Sequence, residues 1–305
     1  MAIFRINKGD LIPIKEKAIN FEKDLQKLTE QNLQTVLGLD FVRTEFGLHN
    51  VYTDRLAFDP ENKSFVIIEY KKDKSFSVVD QGYAYLALML NNKADFILEY
   101  NERKKGNLKR SDIDWSQSRV LFLANSFTRY QQSAINFKDL PIELWEVKLF
   151  GNDTILYSQL KPSASSASIK DVSKDKTIRE VTKEVKVYTL DDHFSRCPNN
   201  IKDLFLTLQE RILGISTDIK EYVGKWSLPY KVGYLTFVYV ILRQSEIHLD
   251  LRLSDKIELP AIATKRKVQP SDVFKIAAKI KSEDDIYQAI TLIKGAYEET
   301  KKLVG

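Results

Sequence analysis

Two apolar runs on either side of Asp59, Pro60, Glu61, Asn62 and Lys63 constrain this chain more than any other feature. Asp-Pro and Asn start turns, and the runs VYTDRLAF and SFVIIEY have strand length and composition. Residues 51–72 therefore read as a β-hairpin. With the turn centred between Glu61 and Asn62, Asp54 falls across from Glu69, and a slip of one residue would break that pairing. Facing carboxylates repel, and a divalent cation is the natural compensation. Side chains two apart on a strand share a face, so Lys71 joins Glu69 at the end of the apolar run, where it reads as an exposed strand terminus.

Two carboxylates and an ammonium so arranged suit hydrolysis of a phosphodiester. The acids hold a hard cation, while the amine balances charge and orients a water beside it. The chain offers few other ways to hold a metal. Its single cysteine, Cys197, excludes an intramolecular disulfide and a Cys-rich zinc site, and fits a reducing cytoplasm. His49, His193 and His248 fall in no zinc-ligand spacing. Mg²⁺ or Mn²⁺ on carboxylate oxygens is the expected cofactor.

At 305 residues the chain has room for two domains, and 43% apolar with 29% charged residues is the balance of a globular protein. No run approaches the roughly 20 apolar residues of a membrane span, and MAIFRINKGDLIPIK has no signal-peptide core; a cytoplasmic protein with no membrane partner is expected. Over residues 18–37, Phe21, Leu25, Leu28, Leu33, Val36 and Leu37 share one arc and predict a helix ended by Gly38. The pattern then predicts strands over 51–58 and 65–70, a helix over 79–90, strands over 94–100 and 119–124, a helix over 128–137, and strands over 142–150 and 154–160. An α/β domain with a mixed sheet should thus occupy residues 1–160. Residues 161–186 are rich in Ser and Lys without sustained apolar periodicity and read as a linker. An α+β domain is expected over 187–305: a helix over 201–213, strands over 219–223, 236–243 and 247–253, and a long helix over 282–303 opened by a Ser282/Asp285 capping pair. Residues 1–160 carry 22 basic and 22 acidic side chains and residues 161–305 carry 25 and 20, so the net +5 lies in the second half and suits a polyanionic partner.

The segments TDRLAFD, FVIIEYKK and VVDQGYAYL together resemble the PD-(D/E)xK nuclease core of the RecB-like kind, over about residues 15–150. The resemblance implies a restriction-endonuclease-like fold and an Mg²⁺- or Mn²⁺-dependent nuclease, with DNA ahead of RNA as the nucleic-acid partner. Asp54 and Glu69 would be its two acids and Lys71 the lysine of its E-x-K. Gln81, ten residues beyond that lysine, matches a glutamine of this branch, with Tyr85 one turn later. The family's helix-one glutamate, a third metal-facing residue, is matched by Glu30, with Glu22 as a rival on the same helix. Thr53 stands where the family motif has proline, and Tyr70 fills the x position. The second half resembles an uncharacterised C-terminal domain that accompanies such nucleases in bacteria and archaea and is sometimes labelled a transport protein; it implies no role.

Two further readings stand beside the enzyme: a nuclease fold kept as a non-catalytic module for nucleic acid or a protein partner, and an interaction scaffold. If the chain self-associates, a homodimer is the expected assembly. Asp59 reads as a turn residue. The basic clusters 103–105, 109–110 and 265–267 read as solvated loops. Tyr222, Trp226, Tyr230, Tyr234, Phe237 and Tyr239 read as core rather than base-stacking residues, and Cys197 as inert.

Overall fold

Asp59 closes the hairpin itself: its Oδ1 accepts from the backbone N–H groups of Glu61 (3.0 Å) and Asn62 (2.9 Å), and Lys63 takes the left-handed φ of 50° that completes the turn. Its Oδ2 accepts from Arg119 at 2.8 Å. Burial alone would raise the Asp59 carboxyl, but Arg119 and the turn donors hold it below the ordinary carboxylate range. Asp59 is thus a turn and ion-pair residue. The structure, a computed structural model, describes residues 3–17, 23–48, 51–71, 77–137, 139–163, 166–269 and 272–304. It divides into two compact units, Met1–Val187 and Tyr188–Gly305.

The first unit runs β1 (Ile3–Asn7), β2 (Asp10–Ile14), β3 (Glu16–Lys17), α1 (Lys23–Gln31), α2 (Leu33–Leu37), β4 (Asp40–Leu48), β5 (Val51–Asp59), β6 (Ser64–Lys71), α3 (Val78–Asn91), α4 (Lys93–Lys104), β7 (Arg119–Ala124), α5 (Arg129–Ala134), β8 (Ile142–Phe150), β9 (Ile155–Leu160), α6 (Ile169–Val172) and α7 (Lys176–Glu184). Among the described residues, strands β1 and β2 form a separate two-stranded sheet. The others form a mixed sheet of order β3-β8-β7-β6-β5-β4, with β9 also on β8. β6 is central, antiparallel to β5 and parallel to β7, which is parallel to β8. A central strand covered on both sides reads as a continuous apolar run, which is why Phe65 to Ile68 are all fully buried. Phe65 and Ile67 face a core shared with α3 and α4, and Val66, Ile68 and Tyr70 face Leu33 of α2 and Leu39. Gly82 lets α3 lie close on β8: a Cβ there would stand 2.4 Å from Ile142 Cδ1.

Three expectations are corrected. Residues 94–100, expected as a strand, belong to helix α4. A short apolar run does not separate the two periods. Packing decides: Phe96 and Tyr100, one turn apart, meet Phe65 (5.7 Å between ring centroids) and Phe58 (4.8 Å). The helix expected over 18–37 breaks at Asn32 into α1 and α2, with residues 18–22 outside the described ones; Gly38, at φ 69°, does end it. Strand β4 is additional. Its alternation is interrupted by a register shift between Phe41 and Arg43, which hides the strand period.

The third correction concerns residues 161–186. They hold α6 and α7, not an extended linker. Asp175 caps α7 by accepting from Ile178 N–H at 3.0 Å, and Ile178, Val181 and Val185 are buried in the core beneath α3. One stripe of three aliphatics in a Ser- and Lys-rich segment is too sparse to stand out in sequence, yet it buries about 1.5–3 kcal/mol per side chain. A chain cut after Leu160 should therefore melt at least about 10 °C below one cut after Val187, at about 2–4 °C per kcal/mol for this size. Equal melting curves by circular dichroism would show that α7 adds nothing to the unit.

The second unit contains α8 (Leu190–Phe194), α9 (Asn199–Leu213), β10 (Ile219–Glu221), β11 (Leu228–Val232), β12 (Leu235–Leu242), β13 (Ile247–Leu251), β14 (Ala263–Lys265), β15 (Ile276–Ile280) and α10 (Glu283–Val304). Its sheet is antiparallel, ordered β10-β11-β12-β13-β15-β14, and shares one core with α9 and α10. Strands β11, β14 and β15 are additional to those expected. The capping pair forms: Ser282 N–H donates to Asp285 Oδ2 at 3.0 Å, and Asp285 N–H to Ser282 Oγ at 3.4 Å. Among the described residues, no helix is long and apolar enough to cross a membrane.

Candidate active site

The hairpin ladder pairs Arg55 with Ile68 and Asp59 with Ser64, the register in which Asp54 and Glu69 come next. There the strands exchange backbone for side-chain partners. Asp54 N–H points to Glu69 Oε2 at 3.4 Å, and Tyr70 N–H donates to Asp54 Oδ2 at 2.8 Å. The alternation that sends Leu56 and Ile67 toward α3 sends Asp54, Glu69 and Lys71 to the same face.

Helix α3 completes the cluster. Ser77 caps it by accepting from Asp80 N–H at 3.2 Å, so that Gln81 and Tyr85, one turn apart, both reach Glu69. Gln81 Nε2 donates to Glu69 Oε1 at 2.9 Å and lies 2.8 Å from the Tyr85 hydroxyl. That hydroxyl stands 3.1 Å from Glu69 Oε2 and 3.2 Å from the Tyr52 carbonyl, its two acceptors. The Lys71 ammonium donates to Gln81 Oε1 and lies 3.8 Å from Glu69 Oε1. Its side chain is only 11% exposed and passes over the Phe122 ring, so Lys71 is not the exposed terminus that its place at a strand end suggests. A cleft of about 480 Å³ opens on Glu69, Lys71, Ser77, Asp80 and Gln81. Ser77 and Asp80 are additional here; a Ser-x-x-Asp cap before the helix was their sequence signal.

Burial pushes both carboxyls above their ordinary range. For Asp54 the largest cause is desolvation, opposed by the Tyr70 N–H and Lys71, with Glu45 adding to the rise. For Glu69 it is again desolvation, then the charge of Asp54, opposed by Lys71 and the hydrogen bonds. Tyr85 is raised by burial and by Glu69. Glu45 is a residue that the sequence reading missed: the pairs Thr44 with Arg55 and Phe46 with Thr53 set it across from Asp54.

Glu30 is the exception among the expected site residues. It is ion-paired with Arg55 and accepts from Thr44 Oγ1 at 3.0 Å. Arg55 follows Asp54 on β5 and so points to the other face, over the Tyr70 ring. Glu30 therefore lies away from Asp54 and Glu69, because an arginine on the α1 side captures it. Its rival Glu22 lies outside the described residues. Among the described residues, no group of three or more His, Cys, Asp and Glu side chains is placed to hold a metal ion.

Comparison with known proteins places the chain among relatives. An uncharacterized protein of Haemophilus influenzae (strain ATCC 51907 / DSM 11121 / KW20 / Rd) is 47% identical over 232 residues, covering 76% of this chain and 77% of that one. The chain belongs to that protein's family. Residues 190–300, nearly all of the second unit, match the family described as "Domain of unknown function (DUF5655)". Among solved structures, "Structure of EndoMS-dsDNA2 complex" is similar to this chain at a TM-score of 0.24 and 11% identity. It covers 42% of this chain and 57% of that chain, too slight a likeness to carry an argument.

Proposed function

We propose that the first unit is a metal-dependent nuclease domain of the PD-(D/E)xK class that hydrolyses phosphodiester bonds in DNA. One observation carries the reading: two half-buried, repelling carboxylates, Asp54 and Glu69, share a face with a nearly buried ammonium, Lys71, beside a cleft. A purely structural core has no use for such a group, because removing charges from water costs several kcal/mol per ion. The donor set fits Mg²⁺ or Mn²⁺. Asp54 uses one carboxylate oxygen on Tyr70 N–H, its other has no hydrogen-bond partner among the described residues, and hard oxygens are what these ions take. Asp54 and Glu69 would hold the ion, leaving its remaining positions to water and phosphate oxygens. When bound, it would polarise the phosphate and acidify a water.

The chain's own groups supply the rest. Lys71 balances the charge gathering on the phosphate and orients the attacking water through its ammonium. Gln81, bonded to both Lys71 and Glu69, sets the distance between them. Tyr85 anchors Glu69 from its second oxygen. A nuclease fold that binds without cutting is the competing reading, and its support is Glu30, whose pairing with Arg55 leaves Asp54 and Glu69 without the helix-one acid expected beside them. One assay separates the two: the intact chain on linear, closed circular and single-stranded DNA and on RNA, with Mg²⁺, Mn²⁺ or EDTA. Mn²⁺-dependent strand scission of DNA is expected. Mn²⁺ that binds without any scission would transfer the argument to the binding module.

A further inference from the structure

The second unit divides the aromatic segment 222–239 in two. Tyr230 and Phe237 are fully buried, but Trp226 is 70% exposed and Tyr222 41% exposed. Both sit on the edge hairpin: Tyr222 continues β10, and Trp226 lies in the connection to β11, where Gly224 N–H donates to Ser227 O at 3.0 Å. Cations surround them. Lys231 lies 4.8 Å from the centre of the Tyr222 ring, Lys225 lies 5.5 Å from that of Trp226, and Arg196 lies 5.8 Å from the same ring. Lys220 and Lys231 are direct cross-strand partners, so the two side chains share one face of the hairpin. The hairpin's one carboxylate is withdrawn: Glu221 accepts from Gln209 at 2.8 Å and from the Tyr230 hydroxyl at 2.5 Å. The tip is also held in place. Buried His193 bonds Gly224 O through Nε2 at 2.8 Å, and Arg196 donates to Lys225 O at 3.1 Å.

We propose that this hairpin tip is a binding platform for single-stranded nucleic acid, with Trp226 and Tyr222 stacking on bases and Lys220, Lys225, Lys231 and Arg196 meeting phosphates. Exposed rings ringed by cations suit unstacked bases, since every base presents a π-face and every linkage a charge. A duplex offers the cations its backbone but withholds its base faces. The platform requires a nucleic-acid partner, as the proposed function does, but it does not require the first unit to cut.

The test is binding of the intact chain to labelled oligothymidylate in EDTA, which removes cleavage from the readout. The oligonucleotide should quench Trp226 fluorescence, and Trp226→Ala should weaken binding about 10-fold or more, the range of one lost base stack, with Trp226→Phe restoring part of it. Lys220→Gln and Lys231→Gln should each reduce the slope of log affinity against log salt by about 0.7. Thermal melts should stay close to wild type, since Trp226 and Lys220 are exposed and Lys231 is partly so. Unchanged binding by Trp226→Ala, no binding by the wild type, or equal competition by polyglutamate would each overturn the platform, the last in favour of an acidic protein partner. Loss of DNA cleavage with oligothymidylate binding intact would count against the nuclease alone.

Discussion

Replacing Lys71 by alanine is expected to lower the rate of DNA cleavage by about 10²–10⁴-fold, the usual loss for a positioned electrostatic or proton-transfer group. The ammonium is the cation placed within 3.8 Å of Glu69, and Gln81 fixes it there. Mn²⁺ should still bind, because both carboxylates remain. A charge at an exposed strand end could be removed almost without effect on stability, but Lys71 is nearly buried and opposes the rise of both acids. Its loss should therefore cost about 1–3 kcal/mol in the metal-free protein, the range for stripping a buried charge of its partner. Lys71→Met separates the two contributions: it keeps an unbranched apolar stem and discards the ammonium that stands over Phe122, so its rate should match that of Lys71→Ala. Wild-type cleavage by either variant under matched Mg²⁺ would remove Lys71 from the mechanism.

Asp54→Asn is expected to abolish both cleavage and saturable Mn²⁺ binding, while making the metal-free protein more stable at neutral pH. The sign follows from burial. A carboxyl whose pKa is raised in the fold holds its proton more tightly there than in the unfolded chain, so stability is greatest below the ordinary carboxylate range. It falls as pH climbs through the raised values of Asp54 and Glu69. Asparagine cannot ionise and can keep the Tyr70 hydrogen bond through its carbonyl oxygen. The variant should thus match wild type near pH 4 and exceed it near pH 8, with a shallower fall between. Mn²⁺ should act oppositely on the wild type, raising its melting temperature more near pH 8 than near pH 4, because the ion binds the deprotonated carboxylates. At a hundred times its dissociation constant the ion contributes about 2.7 kcal/mol. Calorimetric titration and melting curves across pH measure all of this. An Asp54→Asn protein that binds Mn²⁺ as wild type does would place the ion elsewhere.

What the residues disclosed unaided depended on short-range rules. The Asp59 turn, the period-two alternation of 53–71 and the Ser282/Asp285 cap are each set by neighbours a few residues apart, so the hairpin, the shared face of Asp54, Glu69 and Lys71, and the start of α10 were legible. Gln81 came only from the family resemblance, and the Ser77 cap that sets it one turn into α3, within reach of Glu69, is a feature of the structure.

Tertiary structure decided the rest, wherever two distant segments competed for one group. Glu30 sits on a helix whose rotation no local rule determines, and the ion pair with Arg55 turned it from the site. Residues 94–100 could pair as a strand or coil as a helix, and the rings of Phe58 and Phe65 selected the helix. The sparse stripe of Ile178, Val181 and Val185 became a helix because a core was waiting to cover it. Exposure is likewise a property of the packed chain: Tyr230 on β11 and Phe237 on β12 are buried while Tyr222 past β10 and Trp226 in the connection stay outside, since which face of a sheet meets the core is settled by the helices that cover it.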